Sequence, residues 1–117
     1  MKQAETNVWK QIQIDLSPLG FRLFRNQRYK GKTDKGIWID CGVGGDGGSD
    51  LVGYRIVHIT PDMVGRVFAQ YVEIEAKTKN GEGTEKQKER VKRLLLDGAF
   101  AFIAKNADDI KKRLTQE

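Results

Sequence analysis

Cysteine and histidine are nearly absent from this 117-residue chain, which has one of each, Cys41 and His58. A single cysteine excludes an intramolecular disulfide and suits a reducing cytoplasm. The same scarcity excludes a zinc-type site built on cysteine and histidine. Any metal would have to be held by oxygen, which narrows it to magnesium, manganese or calcium. Long apolar runs are missing too, and none approaches the roughly 20 residues of a membrane helix. The opening residues, Met1-Lys2-Gln3-Ala4-Glu5, lack the apolar stretch of a signal peptide. A cytoplasmic protein with no membrane partner is therefore expected.

What is present fits a globular chain. Hydrophobic residues are 38% and charged residues 32%, unlike a disordered or membrane composition. The length suits one domain over residues 1–117, long enough to bury a core without staples. The net charge is +5, and its distribution says more than its total. Residues 22–35 contain six bases (Arg22, Arg25, Arg28, Lys30, Lys32, Lys35) against one acid, Asp34. That local excess equals the net charge of the whole chain, so the remaining charges cancel. Phe21, Phe24 and Tyr29 are interleaved with the bases. Two readings fit: a patch that meets the phosphates of a nucleic acid, or a solvated basic hairpin.

Apolar spacing predicts a helix over residues 4–17 with Val8, Trp9, Ile12 and Leu16 on one stripe, ended by Pro18 and Gly20. Glu5 sits near the head of that stripe. It can point toward whatever the helix packs on, or serve as a first-turn acid that complements the helix dipole. Strands are expected at 21–24, 37–41, 50–59 and 69–77, with a helical turn at 60–65. The run Gly42-Val43-Gly44-Gly45-Asp46-Gly47-Gly48-Ser49 contains the spacing GxGxxG. A dinucleotide-binding loop must open a helix, whereas here strand-like residues follow, so no nucleotide cofactor is expected. The run instead joins two strands and lets a backbone or a phosphate come close to Asp50.

In the 69–77 strand, alternation sets Val72, Ile74 and Ala76 on one face and Tyr71, Glu73, Glu75 and Lys77 on the other. Thr84 and Gln87 form a capping box that opens a helix running to about Asp97, with Gly98 as its stop. Its stripe is Val91, Leu94 and Leu95, and Gln87 lies one turn before Val91. The apolar run 99–104 has the length of a buried, parallel-type strand. Asn106 caps a last helix with Ile110 and Leu114 facing inward.

Glu75-x-Lys77 puts a carboxylate and an ammonium on one strand face, about 6–7 Å apart along the strand. Together with a second carboxylate such as Asp50, this pair could hold a hard divalent cation at a phosphodiester, with the lysine orienting or deprotonating water and neutralising developing charge. By alternation alone the same residues are the solvent face of an antiparallel strand.

Three segments, Gly47-Gly48-Ser49-Asp50-Leu51-Val52-Gly53, Val72-Glu73-Ile74-Glu75-Ala76-Lys77-Thr78 and Thr84-Glu85-Lys86-Gln87, resemble the VRR-Nuc family (virus-type replication-repair nuclease) of the PD-(D/E)xK nuclease superfamily. The resemblance runs from Glu5 to the last strand. Ser49 stands where the superfamily name has proline, and Ala76 where a valine is more typical. The resemblance implies an α/β fold with core order αβββαβ(α), in which helices flank a central mixed β-sheet. It implies Asp50, Glu75 and the backbone carbonyl of Ala76 as ligands of Mg²⁺, with Mn²⁺ as a substitute. Lys77 would be the catalytic lysine, Gln87 an orienting residue, and Glu5 the glutamate of the N-terminal helix. The implied activity is metal-dependent DNA endonuclease cleavage in replication, recombination or repair by a homodimer, in a bacterial or phage-infected cell. The alternative is a non-catalytic nucleic-acid-binding module on the same scaffold.

Overall fold

The computed structural model describes residues 2–45 and 47–116. The chain is mixed α/β, and it divides into two compact units, Met1–His58 and Ile59–Glu117. Among the described residues, no helix is long and apolar enough to cross a membrane.

The first unit opens with helix α1 (Lys2–Leu16), which passes into a 3-10 turn over Ser17–Leu19 and stops at Gly20. Strands β1 (Phe21–Arg25) and β4 (Leu51–Arg55) pair antiparallel, from Phe21 opposite Arg55 to Arg25 opposite Leu51. Between them, β2 (Tyr29–Lys32) and β3 (Trp38–Cys41) form an antiparallel hairpin, with Tyr29 opposite Cys41 and Lys32 opposite Trp38. The basic segment is thus partly a strand, because Tyr29 and Gly31 alternate with Lys30 and Lys32 at period two.

The α1 face differs from its expected stripe. Val8 is 59% exposed and Ile12 is exposed as well, while Trp9, Gln13 and Leu16 are half-buried. Gln13 turns inward because its Nε2 donates to the carbonyl of Leu23 at 2.8 Å. The Arg25 guanidinium stacks over Trp9, 5.5 Å from the ring centroid. The one buried polar residue among those described is Asn26, 6% exposed.

The second unit begins with a 3-10 turn over Pro61–Met63. Strand β5 (Val72–Ala76), helix α2 (Glu85–Leu96), strand β6 (Phe100–Ala104) and helix α3 (Ala107–Thr115) follow. β5 and β6 pair in parallel, with Val72 opposite Phe100 and Ala76 opposite Ala104, and the Lys77 amide extends the ladder to the Ala104 carbonyl at 2.9 Å. Parallel strands need a crossover connection, and α2 lies within it.

α2 starts at its capping box. The Thr84 hydroxyl accepts from the Gln87 amide, and the Gln87 side chain accepts from the Thr84 amide. Gly98, at φ +94°, supplies the left-handed residue that ends it. The core of this unit is Leu94, Ala99, Phe100, Ala101 and Ala104, with Leu94 1% exposed. Leu95 is 45% exposed and Leu114 50%, so neither takes the inward place expected of it. Asn106 does cap α3, its Oδ1 accepting from the Asp109 amide at 3.0 Å.

Among the described residues, the first unit holds two two-stranded antiparallel sheets and the second a two-stranded parallel one, where one central mixed sheet was expected. Among the described residues, five strands, not three, precede α2. Each of these strands of four or five residues runs its full length against one partner in an unbroken register.

Candidate active site and basic hairpin

Alternation in β5 holds, but its polarity is the reverse of an ordinary surface strand. Val72 and Ile74 are 49% and 48% exposed, while Glu73, Glu75 and Lys77 are only half-exposed. Glu73 and Glu75 line a pocket beside α2, and α2 supplies their partners, Arg90 and Gln87. The two orientations of this strand left open by the sequence are thereby resolved. Glu73, Glu75 and Lys77 are not a free solvent face, and the strand is parallel rather than antiparallel.

Two pairings tie β5 to α2. Arg90 grips Glu73 at both oxygens, Nε to Oε1 at 2.9 Å and a terminal nitrogen to Oε2 at 2.6 Å. The Tyr71 hydroxyl donates to the same Oε2 at 2.6 Å. The hydrogen bonds from Arg90 hold the Glu73 carboxyl below its ordinary value of 4.5; partial burial opposes this, and the Tyr71 bond and the Arg90 charge add to the lowering. Glu73 is thus committed to Arg90.

Glu75 is held differently. Gln87 Nε2 donates to Glu75 Oε1 at 2.9 Å, and Lys77 Nζ lies 3.6 Å from that same oxygen. The Glu75 side chain is 44% exposed and that of Lys77 21%. One amide serves two purposes here. Gln87 Oε1 accepts from the Thr84 amide at 2.9 Å, so the capping box fixes which end of the amide faces Glu75. Glu73, Ile74, Glu75, Gln87, Arg90 and Val91, with Leu94 at the floor, line a pocket of about 130 Å³.

Asp50 and Glu5 belong to the first unit. Asp50 immediately precedes β4 and has a 76% exposed side chain, 3.2 Å from the terminal nitrogen of Arg25. The Asp50 carbonyl accepts from the Asn26 amide at 2.8 Å and from Arg25 at 3.2 Å. Glu5 is exposed in the first turn of α1, where an acid complements the helix dipole. Ala76 is the last residue of β5, opposite Ala104. Among the described residues, no group of three or more His, Cys, Asp or Glu side chains is placed to hold a metal ion.

Several of the bases in residues 22–35 have partners within the unit. Arg22 donates to the carbonyls of Ser17 and Phe21, both at 3.0 Å. Arg28 pairs with Asp40 at 2.8 Å and donates to the carbonyls of Cys41 and Gly42. Lys32 lies over Trp38 at 5.5 Å. Lys35 is exposed in the hairpin turn.

Asn26 is a residue that the sequence does not announce. Its Nδ2 donates to the carbonyls of Val43 at 2.8 Å and Ser49 at 2.9 Å, and its Oδ1 accepts from the Val43 amide at 2.9 Å. It pins both ends of the glycine run. Gly48 passes so close beneath it that a Cβ there would lie 2.3 Å from the Val43 carbonyl oxygen, which explains glycine at that position. A lone asparagine between arginines has no signature of its own. Asp46 lies outside the described residues.

No protein-family model, curated protein or solved structure matches this chain.

Proposed function

We propose that the chain is a divalent-cation-dependent DNA endonuclease of the VRR-Nuc type, acting as a homodimer in replication, recombination or repair. The observation that carries this reading is the fastening of Glu75, whose single oxygen Oε1 meets both Gln87 at 2.9 Å and Lys77 at 3.6 Å. A strand carboxylate fixed by a helix amide, with an ammonium beside it, is more than a solvent face requires. In this reading β5, α2 and β6 are the acid-x-lysine half of the PD-(D/E)xK core.

Glu75 and the Ala76 carbonyl are oxygen donors, which suit a hard cation, and the resemblance implies that they and Asp50 would be ligands of Mg²⁺ or Mn²⁺. When bound, that ion would polarise the phosphodiester and lower the pKa of a bound water. Gln87 keeps Glu75 in one rotamer. Lys77, held beside Glu75, neutralises negative charge that develops on the phosphate oxygens. Arg90 removes Glu73 from competition by occupying both its oxygens.

A second reading, a nucleic-acid-binding module without turnover, is favoured by one observation, which is that Asp50 is paired with Arg25 at 3.2 Å. The two readings separate on supercoiled and branched DNA incubated with and without Mg²⁺ or Mn²⁺. Nicking or cleavage that needs the metal and falls at least about a hundredfold in Asp50→Ala and in Lys77→Ala supports the nuclease. DNA retention with no metal-dependent cleavage, or cleavage that survives both substitutions, refutes it.

A further inference from the structure

The hairpin of β2 and β3 carries a side chain that its fold does not require to be outside. Trp38 is 67% exposed, whereas tryptophan is among the residues most buried on average. Its directly opposed cross-strand neighbour is Lys32, whose ammonium lies 5.5 Å from the ring centroid. Residues two apart on a strand share a face, so Lys30 and its partner Asp40 lie on the face of Lys32 and Trp38. Asp40 is paired with Arg28 at 2.8 Å, and by count the bases here, Arg28, Lys30 and Lys32, outnumber the one acid. On the opposite face, Gly31 and Ile39 are half-buried. The hairpin thus turns a flat aromatic ring and two lysines outward together, the lysines about 7 Å apart along the strand.

Cations beside an aromatic ring match a polyanion with flat rings of its own. In a duplex the faces of the bases are covered by their neighbours, and only an unpaired base has a face to offer. Stacking of a base on an aromatic side chain is tolerant of sequence and contributes strongly to single-strand binding. We propose that Trp38, flanked by Lys30 and Lys32, is a stacking platform for an unpaired nucleobase, so that nucleic acid held on this hairpin is single-stranded there. This rests on the nucleic-acid-binding part of the reading above and not on cleavage. The alternative role for the ring is a cross-strand pair with Lys32 that stabilises the hairpin, and a binding experiment distinguishes the two.

The chain has two tryptophans. The full chain bearing Trp9→Phe leaves Trp38 as the sole indole in an unaltered hairpin. It is titrated at low salt, in EDTA, with an oligothymidylate of about twelve nucleotides, within single-strand site sizes. Quenching of Trp38 fluorescence is expected, with no quenching in Trp38→Phe, where Trp9 alone reports. Affinity should fall about ten- to a hundredfold in Trp38→Ala and far less in Trp38→Phe, which keeps a ring. The salt dependence should be unchanged in Trp38→Ala and smaller by about one ion in Lys32→Gln. Failure of the oligonucleotide to bind, equal affinity for Trp38→Ala and wild type, or equal quenching by a blunt duplex or an acidic peptide would overturn the proposal. A chain that quenches but never cleaves loses the nuclease reading and keeps this one. A chain that cleaves DNA with no Trp38 effect does the reverse.

Discussion

Replacing Gln87 by glutamate separates the two duties of its side chain. Glutamate at the third helical position serves a capping box as well as glutamine, so the bond from the Thr84 amide survives, and an acid in the first turn is favoured by the helix dipole. The other oxygen, however, now stands where the amide NH₂ was, 2.9 Å from Glu75 Oε1. A hydrogen bond to a charged group, about 1.5–3 kcal/mol, becomes a repulsion between two carboxylates. At 4 Å that repulsion is about 1 kcal/mol in water and about 4 kcal/mol at the effective dielectric near a protein surface. Glu75 is 44% exposed, which places both terms at their low ends. Allowing for the dipole, the net cost at pH 7 is about 2 kcal/mol, a drop in Tm of roughly 10 °C for a unit of this size. The gap to wild type should close as pH falls into the carboxylate range, when one proton bridges the pair. At pH 7, Mg²⁺ should raise the Tm of Gln87→Glu more than that of wild type, because two facing carboxylates bind a cation. Gln87→Ala, which loses the cap as well, should cost about 1–2 kcal/mol with no such pH or metal response. Thermal melts of the three proteins at two pH values, with and without Mg²⁺, provide the measurement. If Gln87→Glu melts within a degree of wild type at pH 7, the Gln87 amide does not face Glu75.

Two further outcomes follow from the pairings. Asn26→Ala should cost about 2–3 kcal/mol in urea unfolding, because the Val43 amide and the carbonyls of Val43 and Ser49 lose their partner in three part-buried hydrogen bonds. Asn26→Asp should be at least as damaging, since it turns a carboxylate toward the carbonyls of Val43 and Ser49; an Asn26→Asp chain as stable as wild type would remove the clamp from consideration. In the wild type Arg90 lowers the folded-state pKa of Glu73, so the pair contributes stability above the ordinary value of 4.5 and loses it as pH falls through the lowered value, and Arg90→Ala removes that contribution. The half-exposed pair is expected to be worth about 1 kcal/mol at neutral pH. The difference from wild type should narrow once Glu73 is protonated, and a difference independent of pH would assign the effect to packing alone.

The parts legible in the sequence are those encoded by neighbours a few residues apart. The Thr84–Gln87 box and the Asn106 cap each pair a side chain with a backbone group within one helical turn, the Gly98 stop needs only a residue that tolerates a positive φ, and each is found where it was expected. Strand β6 is legible because a continuous apolar run has few other places to go. The readings that needed a distant partner fared otherwise. Alternation in β5 separates its two faces correctly but cannot say which packs, because the answer depends on Arg90 and Gln87 of α2. Periodicity put Ile12 of α1 inward, whereas Gln13 took a half-buried place by reaching the carbonyl of Leu23. Asn26 was invisible for the same reason, since its partners lie 17 and 23 residues away.

The Asn26–Val43 bond also has a consequence for how the chain is put together. The two residues exchange hydrogen bonds in both directions, and everything from Gln27 to Gly42, including the whole β2–β3 hairpin, hangs between them. β1 and β4 keep their register outside this closure, where the Asn26 amide also meets the Asp50 carbonyl. The hairpin is thus a module inserted through a narrow neck, reinforced by Arg28 on the carbonyls of Cys41 and Gly42. A module attached in this way can be lengthened, shortened or exchanged at its tip with little loop-closure cost, while the strand pair that carries it stays in place.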